Sequence, residues 1–153
     1  MRRGLPEYLI DSNVLIYAYD AAETSKQERA LQVLDRLIGE RNAAVSVQCL
    51  GEFYNAATRR IPEPLSSEVA RSEVERYSRD CAVLEVTKIA VLDACRGSVE
   101  HQVSYWDALI WSTARLNDIS IIVTEDGQDG RLIEGVRYLN PFRADFDLKS
   151  LEV

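Results

Sequence analysis

Histidine is nearly absent from this chain: His101 is the only one in 153 residues. A pair of imidazoles acting as acid and base, the device that cuts RNA through its own 2′-hydroxyl, is therefore excluded. Cysteine is scarce too. Cys49, Cys81 and Cys95 are odd in number and lack CxxC spacing, which argues against a disulfide framework and against a thiolate zinc site. They read as reduced, small core residues. The sequence holds no GxxxxGK[ST] phosphate loop and no GxSxG nucleophile elbow. No window approaches the roughly 18 apolar residues of a membrane span. Arg2 and Arg3 are followed by Gly4, Leu5, Pro6 and Glu7 rather than by the apolar run of a signal peptide. A cytoplasmic protein with no membrane partner is expected. No linker or repeat interrupts the chain, and 46% hydrophobic residues suit a single domain spanning residues 1–153 with its own core.

Positive charge is the next deficit. Eighteen Lys plus Arg against 25 Asp plus Glu leave a net charge of −7, a poor global field for attracting a polyanion. The shortage is complete in four segments, YLIDSNVLIY, QCLGEFYN, SYWDALIW and IIVTEDGQDG, which contain no Lys or Arg. Each nevertheless carries a carboxylate in apolar surroundings: Asp11, Glu52, Asp107 and Asp126 respectively. Acids so placed need a partner, and a cation from outside the chain is the natural one. Taken singly, each has an ordinary alternative. Asp11 can cap a helix, although Ser12 and Asn13 already offer capping groups. Glu52 can be a surface residue, with Gly51 beside it hinting at a close approach. Asp107 sits three residues after Ser104, at capping-box spacing. Asp126 and Asp129, with Gly127 and Gly130, can form a polar turn.

Patterning along the chain predicts strands at Tyr8–Ile10, Ala43–Val47, Ala82–Val86 and Ile119–Thr124. It predicts helices from Ser12 or Asn13 through Tyr19, and at Ser25–Gly39, Gln48–Arg60, Ser67–Arg79, Lys88–Glu100 and Ser104–Leu116. Strands alternating with helices imply an α/β three-layer sandwich whose central, mainly parallel sheet is flanked by helices. Ligands bind beyond the carboxyl ends of such strands. Asp11 and Asp126 fall there, and Glu52 and Asp107 lie near the starts of helices opening on the same edge. Carboxylate oxygens suit Mg²⁺ or Mn²⁺. Such ions on a phosphodiester polarise the phosphoryl oxygen, deliver hydroxide and stabilise the leaving oxygen. They would also reverse the local sign of charge, so net acidity does not exclude a nucleic-acid substrate. Trp106, Trp111, Tyr17 and Tyr19 have the rings to stack bases, but their helical spacing places them in a core or a dimer surface. Arg59, Arg60, Arg71, Arg76 and Arg79 read as a solvated face.

With these residues in view, the chain resembles the PIN-domain family, and within it the VapC-type toxins of toxin–antitoxin modules. The resemblance rests on DSNVLIY at Asp11, LGEFYN at Glu52, SYWDALI at Asp107 and TEDGQDGRLIEGVRYLNPF from Thr124 to Phe142. It implies a Mg²⁺-dependent endoribonuclease, with Mn²⁺ as a substitute, in which Asp11, Glu52, Asp107 and Asp126 form the acidic quartet. It further implies that Ser12 is the small hydroxyl beside the first acid, here in place of the usual Thr, that Asn13 is an orienting amide, and that Asp129 is an additional acid of the metal site. Gly127 replaces a commonly bulkier residue. An RNA substrate, a homodimer and an inhibitory antitoxin partner are likewise implied. The alternatives are a housekeeping PIN nuclease without an antitoxin, a haloacid-dehalogenase-type phosphatase, which needs a second acid where Asn13 stands, and a non-catalytic interaction module.

Overall fold

The computed structural model describes residues 5–151. Its strands are β1 (Tyr8–Ile10), β2 (Ala43–Ser46), β3 (Ala82–Leu84), β4 (Ile121–Val123), β5 (Leu132–Ile133) and β6 (Val136–Leu139). The helices are α1 (Ser12–Tyr17), α2 (Thr24–Gly39), α3 (Val47–Arg59), α4 (Ser67–Asp80), α5 (Lys88–His101) and α6 (Tyr105–Leu116), and a 3-10 turn follows at Leu148–Ser150. All strands join one sheet in the order β3-β2-β1-β4-β6-β5, parallel throughout except where β5 meets β6.

The sheet is covered on both faces. Tyr8, Ile10, Ala43, Val45 and Val123 point into a cluster with α1, α2 and α3 and with Tyr77 of α4. The alternate residues Leu9, Ala44 and Ile122 meet Ile110, Trp111 and Ala114 of α6 on the other face. The period of two along a strand thus distributes one continuous apolar run between two cores, giving three layers. On the second face α5 packs on α6 through Ala90, Ala94, Ala108 and Leu109.

The expected strands and helices form with their ends within two residues of those expected; the second, third and fourth strands and the first helix are a little shorter, ending at Ser46, Leu84, Val123 and Tyr17. Ser46, Ser66, Thr87 and Ser104 cap their helices by accepting from the N–H of Cys49, Val69, Ala90 and Asp107 respectively. Ser25 and Glu28 stand at capping-box spacing in the sequence, but α2 begins at Thr24 and its N-cap Glu23 makes no side-chain capping bond. Strands β5 and β6 were not anticipated. They form a two-residue hairpin over Glu134 (φ 46°) and Gly135 (φ 86°), a turn in which both central residues are left-handed. Of the cysteines, Cys49 and Cys81 are buried as expected, whereas Cys95 is exposed.

Candidate metal centre

The parallel order reverses direction between β1 and β4, so their carboxyl ends share the crevice where such sheets bind ligands. Ile10 pairs with Val123, and the next residue along, Asp11, gives its N–H to the Val123 carbonyl at 3.0 Å. Asp11 and Thr124 therefore leave adjacent strands side by side. The Thr124 hydroxyl donates to Asp11 Oδ2 at 2.8 Å, and its oxygen accepts from Asn13 Nδ2 and from the Asp126 N–H, both at 3.0 Å. This one buried hydroxyl ties the first and fourth acids together. Asn13 Nδ2 also reaches Asp126 Oδ2 at 3.3 Å, consistent with the orienting role implied for that amide. Sequence reasoning passed over Thr124, and its signal was a hydroxyl closing an all-aliphatic strand.

Ser46 ends β2 and caps α3, which sets Glu52 on the second turn. The carboxylate oxygens of Asp11 and Glu52 and the sulfur of Cys49 all lie within 4.8 Å of one another. The Ser12 hydroxyl contacts Asp11 Oδ1 at 3.4 Å and is hydrogen-bonded to Glu52. Asp107, in the first turn of α6, accepts from the Ser104 hydroxyl at 2.9 Å while its own N–H donates back at 3.4 Å. Its capping reading is thus correct, and it is compatible with a second role: Asp107 lines one cavity with Asp11 and Asp126.

What distinguishes these acids is their lack of counterions. Glu125, next to Asp126, is paired with Lys26 at 3.0 Å and accepts from Tyr17 at 2.7 Å, and Asp93 is held by Arg96 and Arg115. Among the described residues, Asp11, Glu52, Asp107 and Asp126 form no ion pair. Burial pushes the Asp11 carboxyl up from 3.8 to about 6, with the charges of Glu52 and Asp126 adding to it and the bonds from Thr124 and Ser12 opposing it. Burial also raises Glu52 and Asp126, and the charge of Asp107 raises both further. Carboxylates that raise one another in this way are relieved by a shared cation. The donor set is oxygen-rich and suits a hard divalent ion. Cys49, fully buried, has its thiol pushed far up by desolvation and by Asp11, so it stands as a neutral donor toward Asp11 Oδ1 at 3.9 Å rather than as a thiolate ligand.

The structure does not bring Asp129 to this group. Its Oδ1 accepts from the Asn140 N–H at 2.7 Å and its Oδ2 faces Arg143 at 3.5 Å; it closes the loop ahead of Pro141. Beyond its own helix, Gly51 has no atom of the described residues within 4 Å of where a Cβ would stand, so no close approach is made there among them. Gly127 is required: its φ is +77° and a Cβ would meet the Tyr138 ring at 3.2 Å. Tyr138, which also lines the cavity, was missed in the sequence because β6 was missed. Burial and the charges of Asp107 and Asp11 lift its phenol to about 12. Of the aromatics considered for stacking, Trp111 is core and donates to the Ile133 carbonyl, Tyr17 and Tyr19 are held by Glu125 and Tyr77, and Trp106 is exposed. His101 ends α5 and meets Glu134 at 2.7 Å.

Comparison with known proteins bears on the fold and the family. By overall structure the chain is similar to a toxin–antitoxin complex from Klebsiella pneumoniae (TM-score 0.63, 18% identity, 88% of this chain and 97% of that one). It is similar to DNA-bound VapBC from Salmonella typhimurium (0.62, 19%, 87% and 96%). A third likeness is to VapC20 of Mycobacterium tuberculosis, described as a toxin that cleaves the sarcin-ricin loop (0.57, 20%, 75% and 86%). No curated protein matches by sequence. The sequence model of the PIN domain matches residues 8–131, a stretch containing all four unpaired acids, and the chain belongs to the PIN domain family.

Proposed function

We propose that this protein is a Mg²⁺-dependent endoribonuclease and the toxin of a type II toxin–antitoxin pair. The observation that carries the proposal is the convergence of Asp11, Glu52, Asp107 and Asp126 at the carboxyl ends of the central strands, none of them in an ion pair among the described residues. Asp11 and Glu52 would hold the ion, with Asp107 and Asp126 beside them. A divalent ion bound there would polarise the phosphoryl oxygen and make hydroxide available near neutral pH. The chain's own residues do the positioning. Thr124 and Asn13 fix Asp11 and Asp126, and the Ser12 hydroxyl stands between Asp11 and Glu52, ready to orient water or a phosphate oxygen. Water oxygen bonds to phosphorus, the bond to the 3′ oxygen breaks, and that oxygen takes up the proton, leaving 5′-phosphate and 3′-hydroxyl ends.

The likeness to proteins of toxin–antitoxin complexes supports a protein inhibitor, and a net charge of −7 favours a basic segment in it. A homodimer is supported by an apolar stripe on one face of α5, where Ile89, Leu92 and Val99 are 65%, 60% and 81% exposed. The test is cleavage of structured RNA by purified protein with Mg²⁺ and with excess chelator. Cleavage confined to the Mg²⁺ arm, with 5′-phosphate products, is expected; 2′,3′-cyclic phosphate ends or full activity in chelator would overturn the mechanism. Toxicity on expression alone, relieved by the product of an adjacent reading frame, separates the toxin from a housekeeping nuclease.

A further inference from the structure

The cavity that Asp11, Asp107 and Asp126 border is also lined by residues with no task in hydrolysis. Val103, Ile110, Ile122 and the Tyr138 ring make an apolar wall, with Gln102, Gln128 and Arg131 around it. Tyr138 is only 6% exposed and its hydroxyl is buried without a hydrogen-bond partner among the described residues. Burying an unmatched hydroxyl costs roughly 1–3 kcal/mol, so a phenol kept there where Phe would pack equally well points to a missing partner. Arg131 gives one N–H to the His101 carbonyl at 2.8 Å and, among the described residues, makes no ion pair although three carboxylates line the same cavity. Gln102, the C-cap of α5, holds a left-handed backbone (φ 54°, ψ 46°). Gly is the residue that adopts this conformation at no cost, and here a side chain that reaches the cavity is kept instead.

We infer that this cavity is a specificity subsite for the base of a nucleotide flanking the scissile phosphate, an inference that rests on the nuclease reading above. Its volume of about 180 Å³ is below the roughly 300–1,000 Å³ of pockets that enclose drug-sized ligands, so it takes one ring system and not a dinucleotide or a peptide helix. The adjacent carboxylates disfavour a second phosphate, while a neutral base meets apolar walls on its faces and polar groups at its edge, as unstacked RNA bases do. Arg131 and the Tyr138 hydroxyl are chiefly donors. They match an edge with two acceptors, which among the bases is the O6 and N7 side of guanine.

The test is cleavage of a set of RNAs that differ at single positions around the cut site, including an abasic nucleotide at each, by wild type, Tyr138→Phe and Arg131→Gln in Mg²⁺. Wild type should prefer guanosine at one position and lose most cleavage when that base is removed. Each variant should lower the guanosine preference at that position, Tyr138→Phe by about three- to tenfold, the scale of one hydrogen bond. Tyr138→Phe should melt no lower than wild type, since it deletes an unmatched hydroxyl, and Arg131→Gln provides a second probe if it does not. Unaltered base preference in folded variants that cleave would overturn the subsite and leave the nuclease standing. Unaltered preference with weakened antitoxin binding would assign the cavity to the protein partner instead. Absence of Mg²⁺-dependent cleavage by wild type would overturn both.

Discussion

Asp11 and Thr124 divide the work at the centre of the site differently, and substitution separates them. Asp11→Asn removes the charge that holds a metal, so cleavage should fall by more than the roughly 10–100-fold typical of losing an outer-shell partner. Thr124→Val removes the donor to Asp11 and the acceptor of Asn13 and Asp126, and should fall within that range while binding metal more weakly. Equal losses in the two variants would argue against Asp11 as a ligand. The same carboxyl sets a pH dependence in chelator. Its folded value of about 6 lies above the ordinary 3.8, so burial favours the protonated form. That stabilisation is complete below about pH 4 and is lost as pH rises through about 6. The stability of Asp11→Asn relative to wild type should therefore rise between pH 4 and pH 7, by on the order of 3 kcal/mol at 1.36 kcal/mol per pH-equivalent of shift. Because only the change with pH is read, any fixed penalty of the amide cancels. A difference that stays flat in denaturant melts across that interval would contradict the burial of this carboxyl.

At the scale of elements, α5 and α6 approach closely through Gly97. A Cβ at that position would clash with the edge of the six-membered ring of Trp111, at Cζ3. The ring has little freedom to withdraw, because it is 2% exposed and its N–H is bound to the Ile133 carbonyl at 3.1 Å. Gly97→Ala would gain about 1 kcal/mol from helix propensity on an isolated helix. Here overpacking, typically about 1–3 kcal/mol, should outweigh it. Net destabilisation in urea unfolding is expected, and a more stable variant would show that the two helices can part without cost. The consequence reaches the site, since α6 carries Asp107 at its start and the connection from α5 carries Gln102 and Ser104. Gly97→Ala should accordingly weaken cleavage even under conditions where the protein remains folded.

For the molecule as a whole, the exposed stripe of Ile89, Leu92 and Val99, with Trp106 63% exposed nearby on α6, predicts self-association through α5. Replacing Leu92 and Val99 together with Glu should shift the mass in light scattering toward the monomer, with little change in thermal stability, because both side chains are already largely solvated. An unchanged dimer would place the interface elsewhere. Metal should stabilise the folded chain in proportion to its occupancy, by about 2.7 kcal/mol at a hundredfold excess over the dissociation constant. Asp11→Asn should abolish most of that Mg²⁺-dependent rise in melting temperature; a rise of equal size in the variant would move the ion away from the acids.

Much of this was determined by the sequence itself. The continuous apolar runs in YLI, AAVS and IIV and the period of the helices are local properties, and they carry the α/β sandwich and its parallel sheet. The acids, too, were legible one by one, because each lies in an apolar stretch with no basic neighbour in its own segment. Relations that join distant residues were not legible. That Glu125 is neutralised by Lys26 while Asp126 beside it is not, and that Asp129 is taken up by Asn140 and Arg143, depends on which side chains the sheet and loops bring together across as many as 99 positions of sequence. Strands β5 and β6 escaped for a related reason: runs of two and four residues have too little periodicity to read, and only pairing fixes them in the sheet, β6 against β4 and β5 against β6. With β6 came Tyr138, whose significance lies in a hydroxyl left without a partner. An unmatched group is a property of its surroundings, so tertiary packing alone could reveal it.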